Sequence, residues 1–161
     1  AELSGMKIAY VEIDTLLAKY NFCIDLNEAM VKKSENVRMT LNQKMTALNK
    51  EKQEFQKKYE SNAFLSPERA QQEYNRIAKL EQDLQALSNK LQSELMSENE
   101  KNSLQLRDSI NAFLKEYNKT KGYSMIISNT GFDNLLYADS IYNITREILD
   151  GLNARYSSPK K

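Results

Sequence analysis

Phe55, Tyr59, Phe64, Leu65 and Tyr74 form a run of apolar and aromatic side chains over residues 55–74, with Lys57, Lys58 and Arg69 set among them. Such groups make contacts rather than break bonds. Two uses are open to them. They can pack two helices together where a helical hairpin turns, as any hairpin tip requires. They can also face another chain, because apolar residues surrounded by solvent mark interaction surface.

Bond-making chemistry has little to draw on elsewhere. The 161 residues include no His, four Gly and a single cysteine, Cys23, so there is no imidazole base or metal ligand and no Gly-rich phosphate loop. We therefore expect a binding protein and not an enzyme, with no cofactor and no metal. Cys23 cannot form an intramolecular disulfide and reads as a small buried hydrophobe. The net charge of +1 does not point to nucleic acid. No run of about 18 apolar residues could cross a bilayer. Locally the charge is uneven. Residues 50–79 hold seven cations against five carboxylates, while residues 81–100 hold one against five, so the tip is mildly basic and the shaft acidic. A weak, salt-screened bias of the tip toward anionic surfaces follows, which amounts to peripheral membrane contact at most.

The elements that would position this tip follow from periodicity and breakers. "KIAYVEI", residues 7–13, reads as a strand, and Asp14 as the cap of a short helix, "TLLAKY". From about Cys23 to Ser61 there is neither Gly nor Pro, and Val37, Leu41, Met45, Leu48, Phe55 and Tyr59 recur at helical steps. Pro67 ends that helix and starts the next, with Ser66 as N-cap and Glu68 at the positive end. The second helix carries Leu80, Leu84, Leu87, Leu91, Leu95, Leu106, Phe113 and Tyr117, and stops at Gly122. Arms of roughly 40 and 55 residues would be about 60 and 80 Å long, so the antiparallel hairpin should project. Spacings of eleven, as in Leu84, Leu95, Leu106 and Tyr117, predict a nearly straight or slightly right-handed pair and not a strict leucine zipper. "SENEKNS", residues 97–103, puts Glu98 and Asn102 on the Leu stripe, which predicts an exposed segment or a soft spot where the arm flexes.

After Gly122, "YSMIIS" reads as a strand, "NTGFDN" as a turn and "LLYA" as a second short strand. Asp139 then caps a helix with Ile141, Ile144, Ile148, Leu149 and Leu152 on its apolar face, and the tail "RYSSPKK" should fray. Tyr10, Tyr123, Tyr137 and Tyr142 fall in this part and suit strand or interface packing. The tripeptides Asn118-Lys119-Thr120 and Asn143-Ile144-Thr145 match glycosylation sequons by chance. The predicted fold is α+β: a small β-body made by the chain ends, residues 6–22 and 122–156, and a helical arm, residues 23–121, with its tip near 62–67. Residues 7–13 should pair with residues 123–138. A body of about 50 residues with three strands buries too little by itself, so self-association into a barrel that removes the strand edges is expected. Ile8, Tyr10, Ile126 and Leu136 are the expected interface.

"KIAYVEIDTLLAKY" at one end and "GYSMIISNTGFDNLLYADSIYNITREILDGLN" at the other, with this architecture between them, resemble the Skp (OmpH-like) periplasmic chaperone family. The resemblance rests on the opening strand, the Tyr137-containing strand and the Ile144-Thr145 step inside the last helix. It implies a homotrimer with a β-barrel body and three helical arms around a cavity. Unfolded outer-membrane proteins would be held there without ATP, in the periplasm, after removal of a signal peptide that would precede residue 1. On that reading the contacts are made by Phe55, Tyr59, Phe64, Leu65, Tyr74, Lys57, Lys58 and Arg69. The alternative is a structural coiled-coil adaptor that binds one folded partner. A prefoldin-like chaperone would place its strands inside the hairpin, whereas here they flank it.

Overall fold

A computed structural model describes residues 5–131 and 135–157. The chain is mostly helical. Strand β1 (Ile8–Glu12) leads into α1 (Ile13–Lys19) and α2 (Asn21–Glu60); α3 (Pro67–Lys121), β2 (Met125–Asn129), a 3₁₀ turn at Ser140–Tyr142 and α4 (Thr145–Arg155) follow. Two compact units result, Ala1–Ala29 with Glu100–Lys161, and Met30–Asn99. The first unit therefore takes in more helix than the residues 6–22 and 122–156 expected for the body.

In that first unit β1 and β2 pair in parallel, Ile8 opposite Met125 through Glu12 opposite Asn129. The pairing of the two chain ends is thus as the sequence predicts, but the sheet among the described residues has two strands. Residues 135–138 are not a strand. The other edge of β1 is taken by the segment before α4, where Ile144 N–H donates to Tyr10 O at 3.0 Å and Tyr10 bridges Asn143. The "NTGFDN" turn and the end of the tail lie partly outside the described residues.

Alternation along β1 sends Ala9 and Val11 inward. They join Leu16, Tyr20, Cys23, Ile110, Ile144, Ile148 and Leu152 in one core, with Phe113, Tyr117 and Ile126 packed around it. Burial lifts the Cys23 thiol above its ordinary range, opposed by the Asn27 amide 3.7 Å from the sulfur. Tyr156, packed on Tyr20 and Phe22, donates to Asp25 at 2.9 Å. Burial first and that carboxylate second push its hydroxyl up to about 12.

Several junctions are held by single side chains. Helix α1 stops at Tyr20, which adopts extended backbone, and one amide satisfies both broken ends: Asn153 Oδ1 accepts from Asn21 N–H at 2.8 Å, and its Nδ2 donates to Lys19 O at 3.1 Å. Glu12, not Asp14, stands at the N-cap of α1; Asp14 is in the first turn, where its charge suits the positive end. Gly122 ends α3 at φ +70°, as expected. Asn118 then clamps Tyr123, accepting from its N–H at 2.6 Å and donating to its carbonyl at 2.9 Å. Asp139 caps the 3₁₀ turn and not the last helix, leaving Ile141 exposed. Helix α4 starts at Thr145, whose N–H and hydroxyl both donate to Asn143 Oδ1 while the hydroxyl oxygen accepts from Glu12 N–H at 2.8 Å. Both sequon-like tripeptides thus contain residues that lock backbone. Asn102 is buried, so the expectation of an exposed polar stretch fails there.

The second unit consists of the facing parts of α2 and α3. Leu48, Ile77 and Leu84 are its buried core, with Leu41 and Phe55 against them. Lys33–Glu98 and Lys52–Glu81, each 2.8 Å, and Arg76–Glu51, 2.5 Å, cross between the helices. Exposed pairs of this kind contribute little to stability. Their main effect is to fix antiparallel register.

In the first unit Gly151 of α4 lies under the Phe113 ring, where a Cβ would stand 2.8 Å from Cε2 and closer to Cζ. Alanine is favoured over glycine in a helix by about 1 kcal/mol, but overpacking costs about 1–3 kcal/mol. We expect Gly151→Ala to lower the melting temperature by about 2–6 °C. In a Phe113→Leu background the same change should leave it level or raise it, as thermal denaturation by circular dichroism can measure.

Candidate functional site

The hairpin tip is built by its own caps. Ser61 Oγ donates to Lys57 O at 2.8 Å and Ala63 N–H to Lys58 O at 2.9 Å, which satisfies the last carbonyls of α2. Asn62 takes the left-handed conformation, φ 52°, one that asparagine tolerates better than most side chains. Ser66 Oγ then accepts from Arg69 N–H at 3.2 Å, with Pro67 in the first turn of α3.

This turn folds Phe64 back onto α2. The Phe55 ring is the hub, with centroids 5.4 Å from Phe64, 6.1 Å from Tyr59 and 6.1 Å from Tyr74. Aromatic pairs at such distances attract beyond their burial alone. Four of the five residues singled out in the sequence are therefore in one cluster, and Leu65 is outside it, 91% exposed. Phe55 and Phe64 close the turn, whereas Tyr59, Leu65 and Tyr74 present apolar surface to solvent.

Lys57, Lys58 and Arg69 are exposed, and among the described residues they enter no ion pair. Arg76 differs. It holds Glu51 and Glu73 together, and these two carboxylates keep its guanidinium charged beyond its ordinary range. The Arg76 hydrogen bond lowers the Glu73 carboxyl, with Lys58 adding a smaller field.

Two grooves run between the helices of this unit. One, about 480 Å³, has Leu48, Leu80, Leu84 and Leu87 for its floor and Lys44, Glu51, Arg76 and Asp83 at its margins. The other, about 160 Å³, is lined by Leu41, Met45, Leu48 and Leu84, with Glu81, Gln85 and Ser88. Both are shallow and mixed in polarity, which suits loose contact more than one fitted ligand.

In the first unit the expected interface residues separate. Ile8 and Tyr10 line a groove of about 530 Å³ with Met6, Tyr137 and Tyr142. Tyr10 is already buried within one chain, 7% exposed, and Ile126 packs on the inner core, so neither offers much surface. Leu136, at 81%, stands in solvent. Met6 escaped the sequence reading, although Met6, Ile8 and Tyr10 alternate with period two and so share a strand face. Among the described residues no three His, Cys, Asp or Glu side chains converge to hold a metal ion, and no helix is long and apolar enough to cross a membrane.

A family model described as outer membrane protein (OmpH-like) matches residues 7–152. No curated protein matches the chain in sequence. Among solved structures, a candidate outer membrane chaperone (OmpH-like) from Caulobacter crescentus CB15 has the same fold. Its TM-score is 0.84 at 12% identity, over 99% of this chain and 91% of that one.

Removing the hub should loosen the tip. Phe55→Ala deletes all three ring contacts of a partly buried residue and is expected to cost about 2–3 kcal/mol, below the range for full burial. Hydrogen exchange should then quicken over residues 52–76 and stay slow in β1 and β2.

Proposed function

Because the chain belongs to the OmpH-like outer membrane protein family, we propose that it is an ATP-independent holdase that encloses unfolded outer-membrane proteins between helical arms and keeps them from aggregating. The observation that carries this reading is the distribution of exposed apolar side chains on a helical hairpin. Tyr59, Leu65 and Tyr74 stand out at the turn, and the grooves between the helices of the same unit are shallow. Contacts of this kind are individually weak and add up through multiplicity, so a client is retained yet stays mobile. Lys57, Lys58 and Arg69 would meet its acidic segments.

A homotrimer is part of the proposal. Strand β2 has a strand partner only on its β1 side among the described residues, and an open strand edge is a template for further pairing. Ile8 and Leu136, with the groove that Ile8 and Tyr10 share, are the proposed contact surface between copies, and Tyr10 and Ile126 support it from the inner side. The periplasm is the proposed compartment, since that is where outer-membrane proteins exist unfolded. Neither nucleotide nor metal takes part.

Two variants test the two halves. Leu136→Asp places a charge at a position exposed in one chain, so it should leave circular dichroism unchanged while light scattering moves from trimer toward the 18.6 kDa monomer. A stable monomer of the unmodified chain at micromolar concentration would end the trimer proposal. Deleting residues 45–84 and closing the gap with a short Gly-containing turn should preserve assembly and abolish protection of an unfolded β-barrel client in a turbidity assay. Full protection by the shortened protein would place the holding surface elsewhere.

A further inference from the structure

The chain has six methionines, and none is buried. Thioethers are ordinarily used to fill cores, and here leucine, isoleucine, tyrosine and the one cysteine do that instead. In the helical hairpin Met96 is 67% exposed, Met39 55% and Met45 49%, and Met45 borders the smaller groove beside Leu41 and Leu48. The chain's only thiol, Cys23, is hidden in the core of the other unit. Sulfur that can react with a dissolved oxidant is therefore thioether sulfur, and three of the five exposed thioethers stand on the helical hairpin proposed to hold clients, the other two being Met6 at 44% and Met125 at 47% in the first unit.

We infer that Met39, Met45 and Met96 are modification sites for two-electron oxidants of the hypohalous acid class, and that their conversion to sulfoxides releases clients without unfolding the protein. The chemistry is a single oxygen transfer. The thioether sulfur gives up two electrons and gains the oxygen, an S–O bond forms, the O–Cl bond breaks, and chloride and a proton leave. A flexible apolar side chain becomes a polar one. The fold is spared because no methionine belongs to either buried cluster. Client contact is not spared, because soft, adaptable thioethers suit the re-packing against many sequences that a promiscuous surface requires, and a sulfoxide lacks that property. The step is reversible by methionine sulfoxide reductases, which makes it a switch and not only damage. This inference rests on the holdase reading above.

The test uses the full chain treated with a few equivalents of hypochlorous acid. Peptide mass spectrometry should find gains of about 16 Da per site, at Met96, Met39 and Met45 and at the similarly exposed Met6 and Met125 before the half-buried Met30. Cys23 should remain free to react with a thiol probe after unfolding. Melting should be unchanged, while the amount of protein needed to halve client turbidity should rise at least about threefold, and reductase with dithiothreitol should restore it. The triple variant Met39→Leu, Met45→Leu, Met96→Leu keeps apolar side chains and should protect equally before and after treatment. Unchanged protection by the oxidised wild type would overturn the inference, as would an equal loss in the triple variant, which would move the effect to other residues. An untreated chain that never protects a client would instead remove the holding function and the inference with it, and the untreated control separates that outcome from the others.

Discussion

The parallel register of β1 on β2 is the constraint on which the rest depends. Antiparallel strands can be joined by a two-residue turn, but a parallel pair requires a crossover long enough to return to the starting end. In this chain the crossover is residues 13–124, which contain α1, α2 and α3. The helical hairpin is thus not an appendage added at a loop. It is the connection that the sheet topology demands, extended far beyond the minimum. The start of α2 and the end of α3 then have to lie in the same unit, and Cys23 and Ile110 in one core express that requirement.

Local signals in the sequence were enough for the hairpin. Ser66-Pro67 and Gly122 mark helix ends by backbone chemistry that any reader of the chain can apply, and both ends fall there. The pairing of the two chain ends was legible because strand-like runs flank the helices. Features made by distant partners were not. The stop at Tyr20 depends on Asn153, and the start of α4 depends on Thr145 meeting Glu12, pairs separated by more than a hundred residues. The missing third strand has the same origin: a strand-like composition at residues 135–138 could not reveal that Asn143 and Ile144 already occupy the edge of β1.

The candidate site was legible in membership and not in orientation. Periodicity alone places Phe55 and Tyr59 on one helical stripe, so it cannot say which ring is covered. That is decided by the turn, because the left-handed Asn62 and the Ser66 cap bring Phe64 back over Phe55 and leave Leu65 outside. Asn102 is the reverse case, a polar residue on the stripe that is buried all the same. Hydrophobicity assigns a face to a helix, whereas contact geometry assigns cover to a residue.

The length of the crossover has an entropic side. Were residues 13–124 a flexible loop, bringing β1 and β2 into register would cost about 4 kcal/mol in chain entropy, a large fraction of what a five-residue strand pair can return. A folded hairpin changes that account, because its two helices run side by side and deliver its first and last residues to the same place. The flexible length to be closed shrinks to the few residues on either side. Long helices, whatever they hold, therefore also act as the clamp that makes a two-stranded parallel sheet affordable.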